Sequence, residues 1–361
     1  MGVMLINKKF IRANKELRRI QKAHLKKYRK NRGRYPKAKL GKVIELKSEE
    51  VIEDAEELKT ERSVSILTLT AKDVLDGIRK ANVVGQSGSG FPTAKKIETV
   101  MMAKVREKHL VINAVACDPG LLQDAWILEH KKAEVQKGVA LLKKCIPFQR
   151  VVIGSKENTP NRYPMGEEKI LIHQLLQIQL SPEQVPAEQG ILVLNIQTVL
   201  KIYETFYKKC TRKTKYITVA NLNSGQGQVV RAYIGQPIAE LLEMTTLGYE
   251  KTADVYAGTG VMDAEPTTSS NTIEETTNMV AFGPAATFDN EAKCKMCGAC
   301  SRKCPMHIQV SKILHAIKEN DTKHLEEYKI MDCIGCGTCS YYCKAGRNIM
   351  EMVQEQKERL R

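Results

Sequence analysis

Long apolar runs are missing from this chain of 361 residues, and their absence argues against a transmembrane helix. A span needs about 18 to 20 uninterrupted apolar residues. The nearest approach, Ile191 to Ile202, is broken by Asn195 and Lys201. The opening MGVMLINKKF lacks the apolar core and small-residue cleavage site of a secretory signal. The expectation is a cytoplasmic protein, at most peripheral to a membrane complex. Aromatic residues are few, at 5%, with a single tryptophan, Trp126, expected in the core and not stacked on a cofactor. Acidic residues are scarce in one place only. Between Lys8 and Lys42 stand sixteen Lys or Arg and one acid, Glu16, so the net charge of +16 belongs to an extension and not to the body. That excludes a globular nucleic-acid binder, and nucleic acid is not the expected partner.

Cysteine, by contrast, is abundant and clustered. Of eleven, Cys117, Cys145 and Cys210 stand alone, and eight fall between Cys294 and Cys343. A disulfide framework suits short secreted chains, whereas repeated two-residue gaps in a long chain suit a metal. The groups are Cys294-x-x-Cys297-x-x-Cys300-x-x-x-Cys304-Pro305 and Cys333-x-x-Cys336-x-x-Cys339-x-x-x-Cys343. This is the two-cluster ferredoxin run, in which the fourth cysteine of each group ligates the other cluster. Two [4Fe–4S] clusters are therefore expected, one on Cys294, Cys297, Cys300 and Cys343, the other on Cys333, Cys336, Cys339 and Cys304. The competing metal is zinc, which favours two C-x-x-C pairs with a longer gap. Lys344 stands where a proline usually follows the last cysteine, a cation beside one cluster. His307 is expected to pack near a cluster and not to ligate, since the cysteine set is complete. Cys145 and Cys210 follow lysine pairs, which would lower their pKa, but a structural or incidental thiol is the expected reading; Cys117 adjoins Asp118, which would raise it.

Along the chain, residues 1–45 read as a basic, partly amphipathic helix and 46–69 as a linker with an acidic patch, Glu49 to Glu57. From Thr70 short apolar runs alternate with amphipathic helices. Thr70-Ala-Lys-Asp73 forms a capping box before a helix over 74–81. Strands are predicted at 109–114, 151–154 and 191–194, and helices over 126–144, 167–178 and up to Tyr207. That alternation means an α/β domain with a largely parallel sheet. Residues 214–285 change period: 216–220 and 228–234 alternate as antiparallel strands about Asn223-Ser-Gly, then Pro237 starts a short helix. A small β-grasp-like module is expected there.

Gly85-Gln-Ser-Gly88-Ser-Gly90-Phe91-Pro92-Thr93-Ala94-Lys95-Lys96 joins glycines to a helix start, where exposed amides attract phosphate. It is not a Walker loop. On these residues alone, a phosphate loop and an ordinary turn are equally good readings.

The pattern GxxGxGFPTxxK resembles the flavin loop of RnfC-type electron-transport subunits (RnfC and the proline-reductase-associated electron-transfer protein) and of the NADH-binding flavin subunit of respiratory complex I. Further stretches agree in order: Asn113-Ala-Val-Ala-Cys-Asp118-Pro119-Gly120 with Asp124, Tyr163-Pro164-Met-Gly166-Glu-Glu168-Lys169, Leu194-Asn195-Ile-Gln-Thr198, and Ala257-Gly-Thr-Gly260-Val-Met262. The resemblance spans roughly 70 to 350. It implies a flavin-binding α/β domain at 70–213, the family's β-grasp module at 214–285, and a helical two-cluster ferredoxin domain at 286–361 ending in a helix. It implies FMN held by Gly85, Gly88, Gly90, Phe91, Thr93 and Lys96, with Asn113, Asn195 and Thr198 completing the pocket, Asp118 in the acidic segment, and Glu168 and Lys169 nearby. It also implies NAD(H): hydride to FMN, then single electrons through the clusters to a partner reductase or ferredoxin. This chain departs from the family at three places. Ala116 replaces a glutamate that seats the nucleotide, Ser87 replaces a glycine, and Asp118 shortens another glutamate. The family's glycine-rich barrel is expected before the flavin domain, where this chain has the basic helix. That helix is expected to dock the chain on other subunits of an electron-transfer complex. The alternative is a relay or scaffold subunit that has lost NADH and FMN.

Overall fold

The computed structural model describes residues 68–360 apart from 117, 119, 161–162, 182, 209–212, 261–263 and 285–287. The basic extension, the acidic patch, Cys117 and Cys210 therefore lie outside the described residues. The rest forms two compact units, one ending at Pro284 and one running on from there to Leu360.

The first unit opens with α1 (Ala71–Lys80), and its capping box is complete: Asp73 N–H donates to Thr70 Oγ1, and Thr70 N–H to Asp73 Oδ2. Then come α2 (Thr93–Met102), β1 (His109–Asn113), α3 (Gln123–His130), α4 (Lys132–Cys145), β2 (Arg150–Gly154), α5 (Glu168–Leu176), β3 (Ile191–Asn195) and α6 (Ile196–Tyr207). The strands form a parallel sheet in the order β2-β1-β3. β1 and β3 are buried at every position, as strands covered by helices on both faces must be. Ile78, Ile97, Leu110, Ile112, Ile127 and Leu141 are fully enclosed in the shared core. Each such side chain contributes about 1.5–3 kcal/mol by leaving water.

Two helix expectations need correction. The predicted helix over 126–144 is two helices, because Lys131 leaves helical geometry at φ −121°, ψ 29°. Lys131 N–H closes the first helix on Ile127 O and Lys131 O opens the second by accepting from Val135 N–H, with no glycine or proline at the break. The helix predicted to reach Ile178 stops at Leu176. Gln177 turns left-handed, and its own side-chain amide donates to the carbonyls of His173 and Gln174.

Helices α4 and α6 approach closely at Gly138, where a Cβ would lie 2.5 Å from the carbonyl oxygen of Val199. Glycine is otherwise unfavourable inside a helix. Gly138→Ala should therefore destabilise the fold by about 1–3 kcal/mol despite its better helix propensity; urea unfolding that shows a gain would contradict this packing.

The chain then builds a second sheet from β4 (Thr214–Asn221), β5 (Gln226–Tyr233), β6 (Val255–Gly258), β7 (Glu265–Thr267) and β8 (Met279–Phe282), with α7 (Ile238–Glu243) after the hairpin. Its order is β5-β4-β8-β6-β7, with β4 and β8 parallel and the other pairs antiparallel. A hairpin, a helix, and a last strand returning beside the first make a β-grasp. The module is bound to α6 through Glu204, whose carboxylate accepts from Arg231 on β5 (3.1 Å) and from Lys201 (2.6 Å).

The second unit is helical: α8 (Ala299–Lys303), α9 (Val310–Lys318), α10 (Thr322–Glu327), α11 (Thr338–Tyr341) and α12 (Ile349–Arg359). Among the described residues no helix is long and apolar enough to cross a membrane.

Candidate functional site

In the first unit the predicted residues converge at the carboxyl ends of β1 and β3, where open parallel sheets place ligands. Asn113 and Asn195 end these strands in register. Asn113 donates to Gly166 O (2.8 Å) and accepts from Val115 N–H, tying the loops that follow β1 and β2. Asn195 caps α6 by accepting from Gln197 N–H and donates to Asp124 Oδ2 at 2.9 Å. Thr198, fully buried, accepts from Gln86 N–H at 3.0 Å and so anchors the glycine loop. These three residues hold loops in place.

The loop itself closes through Gly85 N–H to Phe91 O (2.9 Å) and Gly90 N–H to Gly85 O (3.3 Å), with Gly88 at φ +110° and Gly90 at φ +61°. Part of the glycine requirement is internal. A Cβ on Gly88 would lie 2.4 Å from Thr259 Cγ2, and one on Gly85 would lie 2.7 Å from Ser89 Oγ. At these two positions a side chain would meet protein. The helix start behind the loop is more open. No side chain caps α2, and Thr93 Oγ1 is buried without a hydrogen-bond partner among the described residues. An orphaned hydroxyl beside an uncapped helix start fits a phosphate ester such as that of FMN.

Lys96, in the first turn of α2, pairs with Glu168 at 2.7 Å. Lys169 instead donates to Ser181 O. Phe91 is half exposed with the Lys95 ammonium over its ring. Asp118 is buried against Gly260, where a Cβ would fall 2.3 Å from its carboxyl carbon. Trp126 packs against the core, stacked on His130. Cys145 is buried, and burial pushes its thiol up to about 11, in keeping with a structural thiol.

Beneath this edge lies a buried ionisable pair to which sequence reasoning assigned no role. Burial raises Asp124 to about 7, opposed by the Asn195 hydrogen bond and by Lys215. Burial lowers Lys215 to about 7, opposed by Asp124 and Glu275, and its ammonium donates to Glu275 O at 2.6 Å. In sequence Lys215 is one lysine among several at the start of β4, with nothing to single it out.

The second unit is a structural repeat offset by 39 residues, from Cys294 to Cys333. Gly298 and Gly337 are both left-handed at the starts of α8 and α11 (φ 62° and 70°). Met296 matches Gly335 and His307 matches Gly346, all with positive φ. Ser301 Oγ accepts from Ser311 N–H at 2.9 Å, and Ser340 Oγ accepts from Met350 N–H at 2.7 Å, the same bond twice.

Cys304, Cys333, Cys336 and Cys339 line one apolar pocket with Ile308, Val310 and Val353. The first comes from the first motif and the other three from the second. Burial pushes Cys304 up to about 11 and Cys339 well above the ordinary thiol range, with neighbouring thiols adding to both. A metal centre held by such thiols would have to drive their deprotonation. Among the described residues no three His, Cys, Asp or Glu side chains are gathered tightly enough for a single metal ion. A cluster spreads its four thiolates over separate irons and does not demand that gathering. In the other half Cys294 is exposed, Cys300 is buried, and Arg347 takes the place of Ile308 with its Nε buried and unpartnered among the described residues. Lys344 is exposed, so solvent screens the cation that the sequence placed beside a cluster.

Residues 78–162 match the model of the Nuo51 FMN-binding domain, and residues 286–353 that of a 4Fe–4S dicluster domain. Among curated proteins, the chain is 24% identical over 290 residues to the C subunit of the ion-translocating oxidoreductase complex of Haemophilus influenzae (strain ATCC 51907 / DSM 11121 / KW20 / Rd), covering 73% of this chain and 35% of that one. It is 25% identical over 291 residues to the protein of that name from Vibrio cholerae serotype O1 (strain ATCC 39541 / Classical Ogawa 395 / O395), covering 73% and 37%. It thus spans little more than a third of these relatives. Among solved structures, an NAD+-reducing [NiFe]-hydrogenase in the H2-reduced state superposes with a TM-score of 0.52 at 14% identity, over 82% of this chain and 62% of that one. The likeness is one of fold. The chain is accordingly similar to the RnfC-type subunits, and it carries a Nuo51-type FMN-binding domain and a 4Fe–4S dicluster domain.

Proposed function

We propose that this chain is an iron–sulfur flavoprotein subunit that passes electrons between a nicotinamide nucleotide and a partner reductase or ferredoxin, through FMN and two [4Fe–4S] clusters. The observation that carries the reading is the pocket shared by Cys304 and the three cysteines of the second motif. Crossed ligation of that kind is the mark of two clusters in one small domain. Its partner set is Cys294, Cys297, Cys300 and Cys343. Residues 70–213 are assigned to the flavin domain, 214–285 to the β-grasp module and 286–361 to the cluster domain.

When bound, FMN converts the paired electrons of a nicotinamide into the single electrons that clusters carry. The residues around it position and exclude. Thr93 and the start of α2 would hold the phosphate, and Lys96, kept in place by Glu168, would supply positive charge to the site. Thr198 fixes the glycine loop, while Asn113 and Asn195 fix the loops that flank it. The basic segment before residue 46 docks the chain on other subunits, peripheral to a membrane complex.

Thr198→Val strands the buried Gln86 N–H. An unsatisfied group of that kind costs about 1–3 kcal/mol, so FMN retention should fall about tenfold or more while iron content is unchanged. Equal flavin in the variant would detach Thr198 from the site.

The test of donor is an anaerobic titration of the full chain with NADH. Bleaching of the flavin absorbance followed by reduction of the clusters supports the reading. The second reading, a relay that has lost its nucleotide site, is favoured by Ala116, Ser87 and the packing of Gly88 on Thr259. It expects dithionite, but not NADH, to reduce the protein.

A further inference from the structure

We propose that Thr338, Gln354 and Lys357 tune the potential of one cluster, the one assigned to Cys304, Cys333, Cys336 and Cys339; this rests on the cluster reading above. The Thr338 hydroxyl lies 3.2 Å from Cys336 Sγ. Cluster-bound sulfur carries no proton, so the hydroxyl must be the donor in that pair. Gln354 Nε2 donates to Cys333 Sγ at 3.4 Å, and the Lys357 ammonium donates to Cys333 O at 2.6 Å. Reduction adds negative charge to the cluster. Donors at its ligand sulfurs and a cation at the backbone of one ligand therefore stabilise the reduced form and raise the potential.

The repeat shows that these donors are particular to the second half. Thr338 corresponds to Ala299, which has no hydroxyl. Gln354 corresponds to His315, and Lys357 to Lys318. Lys318 is 82% exposed, whereas Lys357 is 9% exposed. The backbone makes room for this arrangement. A Cβ on Gly335 would lie 3.0 Å from Gln354 Nε2, while its counterpart Met296 carries a full side chain that is 87% exposed. The second half thus uses glycine where the amide has to reach the cysteine. The three are positioning residues, acting on the cluster through its ligands.

The experiment is potentiometry of the full chain, followed by low-temperature EPR, with iron and sulfide counted in every sample. Thr338→Ala and Gln354→Leu should each lower the midpoint of one and the same cluster and leave the other in place. Thr338→Ser should hold the wild-type midpoint. Ala299→Thr, which adds a hydroxyl beside Cys297, should raise the other midpoint. Gln354→Met serves if the leucine variant loads poorly. Fully loaded variants with unmoved midpoints, or with both midpoints moved alike, overturn the proposal while leaving the clusters standing. A wild-type chain without [4Fe–4S] signals overturns the cluster reading itself.

Discussion

Cys304→Ala is expected to cost the protein roughly half of its iron and sulfide, and the lost cluster should be the one built on the second motif. Cys304 follows the first motif's three cysteines in sequence, yet it shares its pocket with Cys333, Cys336 and Cys339. Additivity separates crossed from uncrossed ligation. Cys304→Ala combined with Cys339→Ala should lose no more iron than either alone, because both act on one cluster. Cys304→Ala combined with Cys300→Ala should lose nearly all of it. The uncrossed arrangement predicts the reverse pair of results. Thermal stability should fall with the iron. The pocket sits in the core of this unit, against Ile308, Val310 and Val353, and binding of the metal centre is coupled to folding.

Asp124→Ala is expected to destabilise the first unit by about 1–3 kcal/mol at pH 6, since it removes the buried acceptor of the Asn195 amide and leaves the Lys215 ammonium without its polar neighbour. The pH dependence has a definite sign. Asp124 has a folded pKa raised to about 7, so the stability it contributes is greatest at low pH and is lost as pH rises from the usual carboxylate range through 7. Lys215 has a folded pKa lowered to about 7, so its burial costs stability below 7, a cost relieved as pH climbs from 7 towards 10.5. The penalty of Asp124→Ala should therefore shrink between pH 6 and pH 9, where Lys215 becomes neutral and the wild type instead buries a carboxylate. Lys215→Met added to Asp124→Ala should recover part of the loss, by removing the buried ammonium. Urea unfolding at the two pH values checks it, and a penalty constant with pH would dissociate the two residues.

The cysteine runs were the most legible part of the chain, because three thiols at two-residue intervals leave few chemistries open. The expectation of crossed ligation was readable there as well, since it follows from the reach of the fourth cysteine. The α/β alternation carried through to β1, β2 and β3 and to the order of the helices, because the strands, fully buried in β1 and β3, declare themselves as short apolar runs. The break at Lys131 was invisible, as neither a glycine nor a proline stands there and the apolar periodicity runs on. The glycine loop misled in part. Sequence shows that a side chain is absent, but not whether a ligand or Thr259 fills the space. Lys215, Thr338 and Gln354 escaped because their partners are distant in sequence or distinguished only by comparing the two halves. Aligning Cys294 with Cys333 sets Thr338 against Ala299 and Gly335 against Met296, a contrast that the amino-acid sequence holds by itself.

The central claim is most directly tested by counting cofactors in the full chain purified without oxygen. The account predicts FMN at about one per chain, with iron and acid-labile sulfide each near ~8 per chain. Zinc in place of iron, or iron near ~4, would contradict the two clusters, and a flavin-free chain with full iron would reduce the protein to a relay.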